Sequence, residues 1–237
     1  MENSSLHLKV NFEINGVRFN EFSECNLYLL RAIEEDICSS TSIEDVFKFP
    51  GIAFHFSPSS QLKDAAICRL VDIIDDNLGE IYLKNYGKKW KDAKKRELNE
   101  AGMVIVSITR DDSGQVEGFI SFKMCFDADE KFVLYLYEIQ LGKKLQGHGL
   151  GQSIMDQFHE YVASLQRSSN KLYQKLNGTA LTVFSENERA FAWYTRLGYK
   201  FAECSPMDKT KRDGTVKKPK FYLMKRHYRA TLSSRAR

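Results

Sequence analysis

The residues with the clearest chemical potential form a glycine-rich turn at positions 146–151, with the sequence QGHGLG. The alternating apolar segment Phe132–Leu141 predicts a strand before the turn, and apolar residues at helical spacing from Ile154 to Leu165 predict a helix after it. Glycines adopt positive φ without a steric penalty, and the first N–H groups of a helix have no intrahelical partner. Strand, turn and helix together therefore predict a site for an anion such as a pyrophosphate.

The spacing of the turn excludes two common phosphate-binding loops. It is neither the G-x-x-x-x-G-K-[ST] loop of nucleoside triphosphate enzymes nor a G-x-G-x-x-G loop. Positions 146–151 instead resemble the Q/R-x-x-G-x-G/A loop of the GCN5-related N-acetyltransferase (GNAT) family, although a glycine helix start without chemical meaning is the alternative. The segment 187–199, NERAFAWYTRLGY, resembles a second motif of that family, N-x-x-A-x-x-x-Y-x-x-x-G-[FY]. Two motifs in the family's order favour the acetyltransferase interpretation.

The GNAT resemblance implies an α/β fold with a mostly antiparallel central sheet flanked by helices, here with an extra N-terminal helix. It also implies acetyl-CoA as the co-substrate, held in a cleft where two neighbouring strands separate. Asn187 would contact the pantetheine arm, although its position also suits a helix N-cap. The other residues implied to hold acetyl-CoA belong to the central strand and the turn: Ile139, Gln140, Leu141, Gln146, Gly147, His148, Gly149, Leu150, Gly151 and Gln152.

Acetyl transfer to an amine requires a group that removes the ammonium proton. Glu138 is the predicted general base, because it lies on the central strand just before the acetyl-binding segment and among apolar neighbours. The alternative is an edge carboxylate paired with a basic residue. Tyr194 stands where the family places a tyrosine that protonates the departing thiolate, and the alternative is a ring that packs helix against sheet. Tyr137 is assigned to the catalytic group and also to the slot that would bind the substrate peptide.

A narrower resemblance concerns the segments 135–141 (YLYEIQL), 181–184 (LTVF) and 90–92 (WKD), which are similar to the N-terminal acetyltransferase D (NatD) subfamily. It implies transfer to the α-amine of histone 4 and histone 2A, whose chains begin Ser-Gly-Arg-Gly. Asp127 and Asp129 would bind the substrate arginine, because carboxylates pair with guanidinium groups; a solvated hairpin turn is the alternative. The residues implied to line the peptide slot are Tyr82, Tyr135, Tyr137, Thr182 and Tyr222.

The length of 237 residues favours one domain with an added arm. We expect an N-terminal arm and helix over 1–45, the acetyltransferase domain over 46–228 and a basic tail over 229–237. From Ser205 onward there are eleven Lys/Arg against two Asp/Glu, which leaves the rest of the chain acidic. Five scattered cysteines argue for a reducing compartment and against a zinc site, and no segment suits a secretory signal or a membrane span. We expect a monomer in the nucleus and cytoplasm.

Hydrophobic periodicity predicts the remaining elements, whereas residues 1–18 show no strong pattern. The predicted helices lie at 20–39, from Ser57 through an apolar stripe that ends at Leu78, and at 187–197. A break in the pattern is expected at 79–90. The predicted strands lie at 52–56, 103–108, 116–126, 178–184, 199–201 and 221–224, with a basic loop at 205–219.

Two other functions share these motifs. A lysine or small-amine acetyltransferase would use the same acetyl-CoA turn without needing Asp127 and Asp129. A non-catalytic acetyl-CoA-binding module would dock on chromatin through the basic tail, but Glu138 and the tyrosine cluster argue against it. The basic loop would make weak, sequence-independent contacts with nucleic acid, or else it is simply solvated.

Overall fold

A seven-stranded sheet forms the centre of the computed structural model, which describes residues 6–227. The helices are α1 (Leu27–Ser39), α2 (Thr41–Val46), α3 (Asp64–Tyr86), α4 (Trp90–Leu98), α5 (Leu150–Arg167) and α6 (Glu188–Arg196). The strands are β1 (His7–Ile14), β2 (Val17–Ser23), β3 (Ile52–Pro58), β4 (Val104–Arg110), β5 (Val116–Phe126), β6 (Phe132–Leu141), β7 (Gly178–Phe184), β8 (Lys200–Phe201), β9 (Lys209–Thr210), β10 (Val216–Lys217) and β11 (Phe221–His227).

The central sheet is mixed. Its strand order is β3-β4-β5-β6-β7-β11-β8, and every neighbouring pair is antiparallel except β6 and β7. The connection between the two parallel strands contains α5, because parallel neighbours need a crossover. The predicted α/β fold, with a mostly antiparallel sheet flanked by helices, is confirmed.

The sheet buries an apolar core on each of its two faces. On one face, α1, α5 and the N-terminal strands pack over Val106 and Leu136. On the other face, α3 and α4 pack over Ile105 and Phe119. The neighbours Ile105 and Val106 serve opposite faces, because successive side chains of a strand alternate. The helices on both sides therefore fix the position of the central strands.

The N-terminal segment forms an antiparallel hairpin of β1 and β2, which corrects the expectation of a patternless stretch over 1–18, of which 1–5 lie outside the described residues. Asn15 and Gly16 form its turn with φ of 50° and 78°, the conformation that an Asn-Gly pair favours. The extra N-terminal helix is present but begins at Leu27, because Asn26 caps it by accepting the Leu29 N–H at 3.0 Å.

The helix predicted from Ser57 begins at Asp64 instead. Ser57 and Pro58 belong to β3, an edge strand in which proline is tolerated. The helix α3 then continues through Gly79 and ends before Gly87, whose φ is 72°. The helix α4, which the sequence did not predict, follows directly.

The strand predictions are more accurate near the centre of the sheet. Those at 116–126, 132–141 and 178–184 are confirmed with the same bounds, and those at 52–56, 103–108 and 221–224 are confirmed with shifted ends. The strand at 199–201 is reduced to β8, and the basic loop contains the small hairpin of β9 and β10. The basic tail expected at 229–237 lies outside the described residues. Among residues 6–227, no helix is both long and apolar enough to cross a membrane.

Candidate active site

A cleft of about 640 Å³ opens where β6 and β7 separate. The two parallel strands pair only over Leu134–Leu136 on β6 and Thr179–Leu181 on β7. Residues 138–141 keep their pairing with β5 on the other side. The separated ends thus provide the ligand-binding position that the GNAT resemblance implies for acetyl-CoA.

The glycine-rich turn forms one end of this cleft. Gly147 and Gly149 have φ of 83° and 79°, a left-handed conformation that favours glycine. A Cβ on either residue would meet no atom within 4 Å, so the backbone of the turn is open to a ligand. Helix α5 begins at Leu150 without a side-chain cap, and the N–H groups of its first turn lie at the positive end of the helix dipole. These features fit a pyrophosphate.

The side chains of Gln146 in the turn and of Gln152 in α5 are engaged by other residues of the chain. Gln146 donates through Nε2 to the Leu141 carbonyl at 2.7 Å and to Asn77 Oδ1 at 3.4 Å. Gln152 Oε1 accepts a hydrogen bond from Trp193 Nε1 at 3.3 Å. The backbone N–H groups of the turn therefore remain for an anion, and Lys143, Arg189 and Arg196 also line the cleft.

Most residues predicted to hold acetyl-CoA line the cleft. The side chain of His148 is exposed to solvent instead, and that of Leu150 is buried in the core at 2% exposure. For these two residues the prediction therefore fits only the backbone. The residues that do line the cleft are Ile139, Gln140, Leu141, Gln146, Gly147, Gly149, Gly151, Gln152 and Asn187.

Asn187 combines the two roles considered for it. Its Oδ1 accepts the Ala190 N–H at 3.1 Å and caps α6, an interaction whose loss typically costs about 1 kcal/mol. The same residue lines the cleft. A cap that engages Oδ1 leaves the amide nitrogen as a donor for a ligand.

A β-bulge in β6 sets the direction of the predicted base. Ser121 on β5 pairs with Glu138 and Phe122 pairs with Leu136, so Tyr137 is an extra residue in the ladder. Leu136 packs in the core beneath α5, whereas Tyr137 packs in the core beneath α3 and α4. Glu138 also makes its contacts with α3 and α4. The bulge therefore turns two consecutive side chains towards one face.

Glu138 is only 6% exposed and lies in a polar cluster. Its Oε1 accepts hydrogen bonds from the Tyr82 hydroxyl at 2.8 Å and from Lys94 Nζ at 2.8 Å. Its Oε2 accepts one from Gln140 Nε2 at 2.7 Å. The prediction of apolar surroundings is wrong, because the bulge turns the carboxylate away from the apolar core. The contact with Lys94 matches the alternative of a carboxylate paired with a basic residue.

An aromatic wall lies beside Glu138. Tyr82 stacks on Trp90 with ring centroids 4.7 Å apart and on Tyr86 at 5.8 Å, and Phe184 meets its ring edge-on at 5.0 Å. Burial raises the pKa of Tyr82, and the charge of Glu138 raises it further. Tyr82 is therefore protonated at neutral pH and donates to the carboxylate.

Tyr135 and Thr182 extend the wall across the two separated strands. Their hydroxyl oxygens are 2.6 Å apart, and the ring centroid of Tyr135 is 5.2 Å from that of Tyr137. Burial raises the pKa of both tyrosines, so both hydroxyls keep their protons at neutral pH. Four of the residues predicted for the peptide slot, namely Tyr82, Tyr135, Tyr137 and Thr182, thus contribute to one region.

Tyr222 does not belong to this slot, which corrects the prediction. Its ring packs against Phe191 and Phe201 with centroid distances of 5.3 and 5.2 Å. Thr182, on the slot side of β7, pairs with Leu223 rather than with Tyr222. Since neighbouring side chains of a strand face opposite sides, Tyr222 lies on the α6 side of the sheet.

Asp129 is already occupied by its own chain. Its carboxylate accepts hydrogen bonds from Lys225 Nζ at 2.5 Å and from the backbone N–H groups of Glu203 at 2.9 Å and Cys204 at 3.1 Å. Burial opposes its charge, but these hydrogen bonds hold the pKa of Asp129 well below its usual range. The predicted role as an arginine ligand is corrected, because the carboxylate instead ties β11 and the loop after β8 to the β5–β6 turn.

Asp127 differs because one of its oxygens has no hydrogen-bond partner within the described residues. Oδ1 accepts the backbone N–H groups of Asp129 at 3.0 Å and Lys131 at 2.8 Å, as a hairpin-turn aspartate does. Oδ2 is buried and unpaired, which costs about 1–3 kcal/mol. Burial is the main cause of the raised pKa of Tyr135, and the charge of Asp127 adds only a small contribution.

Tyr194 lines the cleft from α6 and is 9% exposed. Its ring lies 5.2 Å from that of Trp193 and 5.7 Å from that of Tyr199. Burial raises the pKa of Tyr194, and the charge of Glu138 adds to this effect. The residue therefore packs against its neighbours and also presents a protonated hydroxyl.

Lys94 and Asn77 are among the residues of the site that were not predicted from the sequence. Lys94 lies on α4, whose buried residues Trp90, Lys94 and Leu98 recur every four positions. This helical spacing was a usable signal for a buried lysine. Asn77 donates to Gln140 Oε1 at 3.0 Å, and no local pattern in the sequence distinguishes it from its polar neighbours.

Comparisons with known proteins agree with this arrangement. The acetyltransferase (GNAT) family model matches residues 71–199. N-alpha-acetyltransferase 40 of Saccharomyces cerevisiae is 33% identical over 190 residues, covering 73% of this chain and 64% of the yeast protein, so the chain spans less than two thirds of that relative. The crystal structure of PH1933 from Pyrococcus horikoshii matches with a TM-score of 0.51 at 17% identity, covering 75% of this chain and 99% of that one. An acetyltransferase of Streptococcus agalactiae gives 0.51 at 14% identity, covering 76% and 100%.

Proposed function

This chain belongs to the acetyltransferase (GNAT) family, and we propose that it is an N-terminal acetyltransferase, which transfers the acetyl group of acetyl-CoA to a peptide α-amine. The observation that carries the proposal is the cleft in which the anion-binding turn, Glu138 and the aromatic wall meet. The name of the yeast relative, N-alpha-acetyltransferase 40, supports the same activity. We further propose the substrate preference of the NatD subfamily, peptides that begin Ser-Gly-Arg-Gly as histone 4 and histone 2A do.

Acetyl-CoA is the acetyl donor of the family, and the cleft fits it. The backbone N–H groups of the turn and of the first residues of α5 would hold the pyrophosphate. The Asn187 amide and the backbone of Ile139, Gln140 and Leu141 would hold the pantetheine arm. When bound, acetyl-CoA supplies the activated thioester, and the chain supplies positioning and proton transfer.

Glu138 would remove the proton of the substrate ammonium. Each carboxylate oxygen has two lone pairs. Those of Oε1 are engaged by Tyr82 and Lys94. Within residues 6–227, Oε2 accepts a hydrogen bond from Gln140 alone, which leaves one lone pair for the amine or for an intervening water. Since an α-amine titrates near pH ~8 and lysine near ~10.4, a carboxylate base is better matched to the α-amine.

Two protonated tyrosines complete the proposed catalytic group. Tyr194 would donate its proton to the departing thiolate, because it lines the cleft from α6 and its hydroxyl is protonated at neutral pH. Tyr137, next to Glu138 on the bulge, would orient the amine through its hydroxyl.

Substrate selection would rest on the slot and on Asp127. The rings of Tyr82, Tyr135 and Tyr137 form a stiff wall with polar tips, which suits a small first residue such as serine. Asp127 Oδ2 would pair with the arginine at the third position through a charge-assisted hydrogen bond. A histone substrate would agree with a location in the nucleus and cytoplasm, which imaging of a fluorescent fusion would test.

The test is acetyl transfer to the peptide Ser-Gly-Arg-Gly-Lys, read by mass spectrometry, with the same peptide blocked at its amino end as control. A third peptide, Ser-Gly-Ala-Gly-Lys, shows how much the arginine contributes to the rate of transfer. We expect acetylation at the α-amine only, lost on blocking and weakened without arginine. Acetylation of lysine in the blocked peptide would instead favour a lysine acetyltransferase, and equal rates with and without arginine would contradict the proposed preference.

A further inference from the structure

A buried lysine contacts the carboxylate that the proposed reaction uses as its base. Lys94 is 7% exposed, and its Nζ lies 2.8 Å from Glu138 Oε1. The same ammonium forms an ion pair with Glu97, one helical turn away on α4, and lies 5.1 Å from the ring centroid of Tyr82. Buried lysines are rare unless paired, and this one has two carboxylate partners.

The contacts of Lys94 restrict how the carboxylate can act. With Tyr82 and Lys94 both donating to Oε1, that oxygen is held on the side of α3 and α4. Gln140 holds Oε2 from β6 but leaves it a lone pair. Lys94 therefore helps to decide which oxygen is presented to the cleft.

Lys94 also balances the charge of the cluster. Burial lowers the pKa of Lys94, but the charges of Glu138 and Glu97 raise it more, so the ammonium is charged at neutral pH. Burial raises the pKa of Glu97, an effect that Lys94 opposes. Without Lys94, two carboxylates would be buried close together, and each would favour taking up a proton at the expense of its charge.

We propose that Lys94 is a positioning residue for the acetyl-transfer reaction, holding Glu138 ionised and oriented so that Oε2 takes the proton of the amine. This inference rests on the proposed function. The titratable groups that face the Glu138–Lys94 pair come from three helices: Tyr82 and Tyr86 on α3, Glu97 on α4, and Tyr194 on α6.

The test compares Lys94→Met with Lys94→Arg, and uses Lys95→Met as a matched control on the same helix, outside the cleft. The rate constant kcat for Ser-Gly-Arg-Gly-Lys is measured from pH 5 to 10. In Lys94→Met we expect the acidic limb of the profile to move up by about 1–3 pH units, since an opposite charge has been removed from the carboxylate. The rate lost at neutral pH should return at high pH, and KM for acetyl-CoA should stay within about twofold, because Lys94 does not touch the turn. Lys94→Arg and Lys95→Met should keep the wild-type limb.

A loss of kcat by the same factor at every pH would overturn the proposal and leave Lys94 a structural role. If Lys94→Met does not fold, the double variant Lys94→Met with Glu97→Gln removes the second buried charge and is measured instead. Absence of turnover by the wild type would defeat the proposed function, but the effect of Lys94 on the Glu138 carboxyl would remain testable. In that case ¹³C NMR titration of the Glu138 carboxyl, assigned with Glu138→Gln, still tests it: an unchanged midpoint in Lys94→Met would overturn the proposal.

Discussion

Replacing Glu138 by Gln separates its proposed role as a base from its role in the polar cluster. Glutamine keeps the size of the side chain, and its carbonyl oxygen can still accept hydrogen bonds from Tyr82 and Lys94 at the Oε1 position. Its Nε2 would face Gln140 Nε2, so one hydrogen bond worth about 1 kcal/mol is lost. The variant loses the acceptor with the free lone pair, and general base catalysis typically contributes about 10²–10⁴-fold, or about 2.7–5.4 kcal/mol of barrier.

The assay is single-turnover acetyl transfer with enzyme in excess, beside calorimetric titration of acetyl-CoA. We expect the transfer rate of Glu138→Gln to fall by about 10²–10⁴-fold. The dissociation constant for acetyl-CoA should stay within about threefold, because Glu138 contacts neither the turn nor α5.

Glu186→Gln is the matched control for this experiment. It removes a carboxylate that forms an exposed ion pair with Lys84, and such surface ion pairs contribute little to the stability of the fold. Its transfer rate should equal that of the wild type. A Glu138→Gln rate within threefold of the wild type would refute the assignment of Glu138 as the base.

Three further substitutions test separate parts of the site and fold. Asp127→Asn keeps the hydrogen bonds of the turn but removes the charge of the side chain. The KM for Ser-Gly-Arg-Gly-Lys should therefore rise about tenfold, while the KM for Ser-Gly-Ala-Gly-Lys stays constant. An equal rise for both peptides would argue against an arginine contact. Gly149→Ala places a side chain on a residue with a φ of 79°, which costs about 1–2 kcal/mol. The variant should bind acetyl-CoA more weakly in calorimetry. An unchanged dissociation constant would contradict the proposal that the glycine-rich turn holds the pyrophosphate. Gly178→Ala would place its Cβ 2.2 Å from the Arg226 carbonyl oxygen at a φ of 143°. Chemical denaturation should therefore show that the free energy of unfolding falls by about 1–3 kcal/mol or more. An unchanged free energy of unfolding would contradict this close approach of β7 and β11.

The parts of the fold that could be predicted are those whose hydrophobic pattern is regular and long. The strands 116–126 and 132–141 are bounded by turn residues on both sides and are buried over most of their length. Their predicted bounds were therefore accurate. The N-terminal hairpin was missed although the sequence carries its signals. Leu8, Val10, Phe12 and Ile14 alternate with polar residues, and the Asn15-Gly16 pair is a strong turn signal.

Tertiary contacts account for the remaining errors in the site. Asp129 looks like a free turn carboxylate in the sequence, and its partner Lys225 lies on β11, far along the chain. Tyr222 was misplaced because the side of a strand that a residue faces depends on the register with its neighbour, and that register is set by β7. Neither fact is available from local spacing.

The apolar residues of β6 do not alternate regularly along the whole strand, and this irregularity indicates a bulge. Leu134 and Leu136 face the core beneath α5, and strict alternation would place Glu138 with them. The apolar series then resumes at Ile139 and Leu141, one position out of phase. A change of phase within one strand is what a bulge produces, since two consecutive residues then share a face. The proposed chemistry depends on this one-residue shift. A regular strand would bury Glu138 in an apolar core without partners, whereas the bulge places it in a polar cluster that lines the cleft.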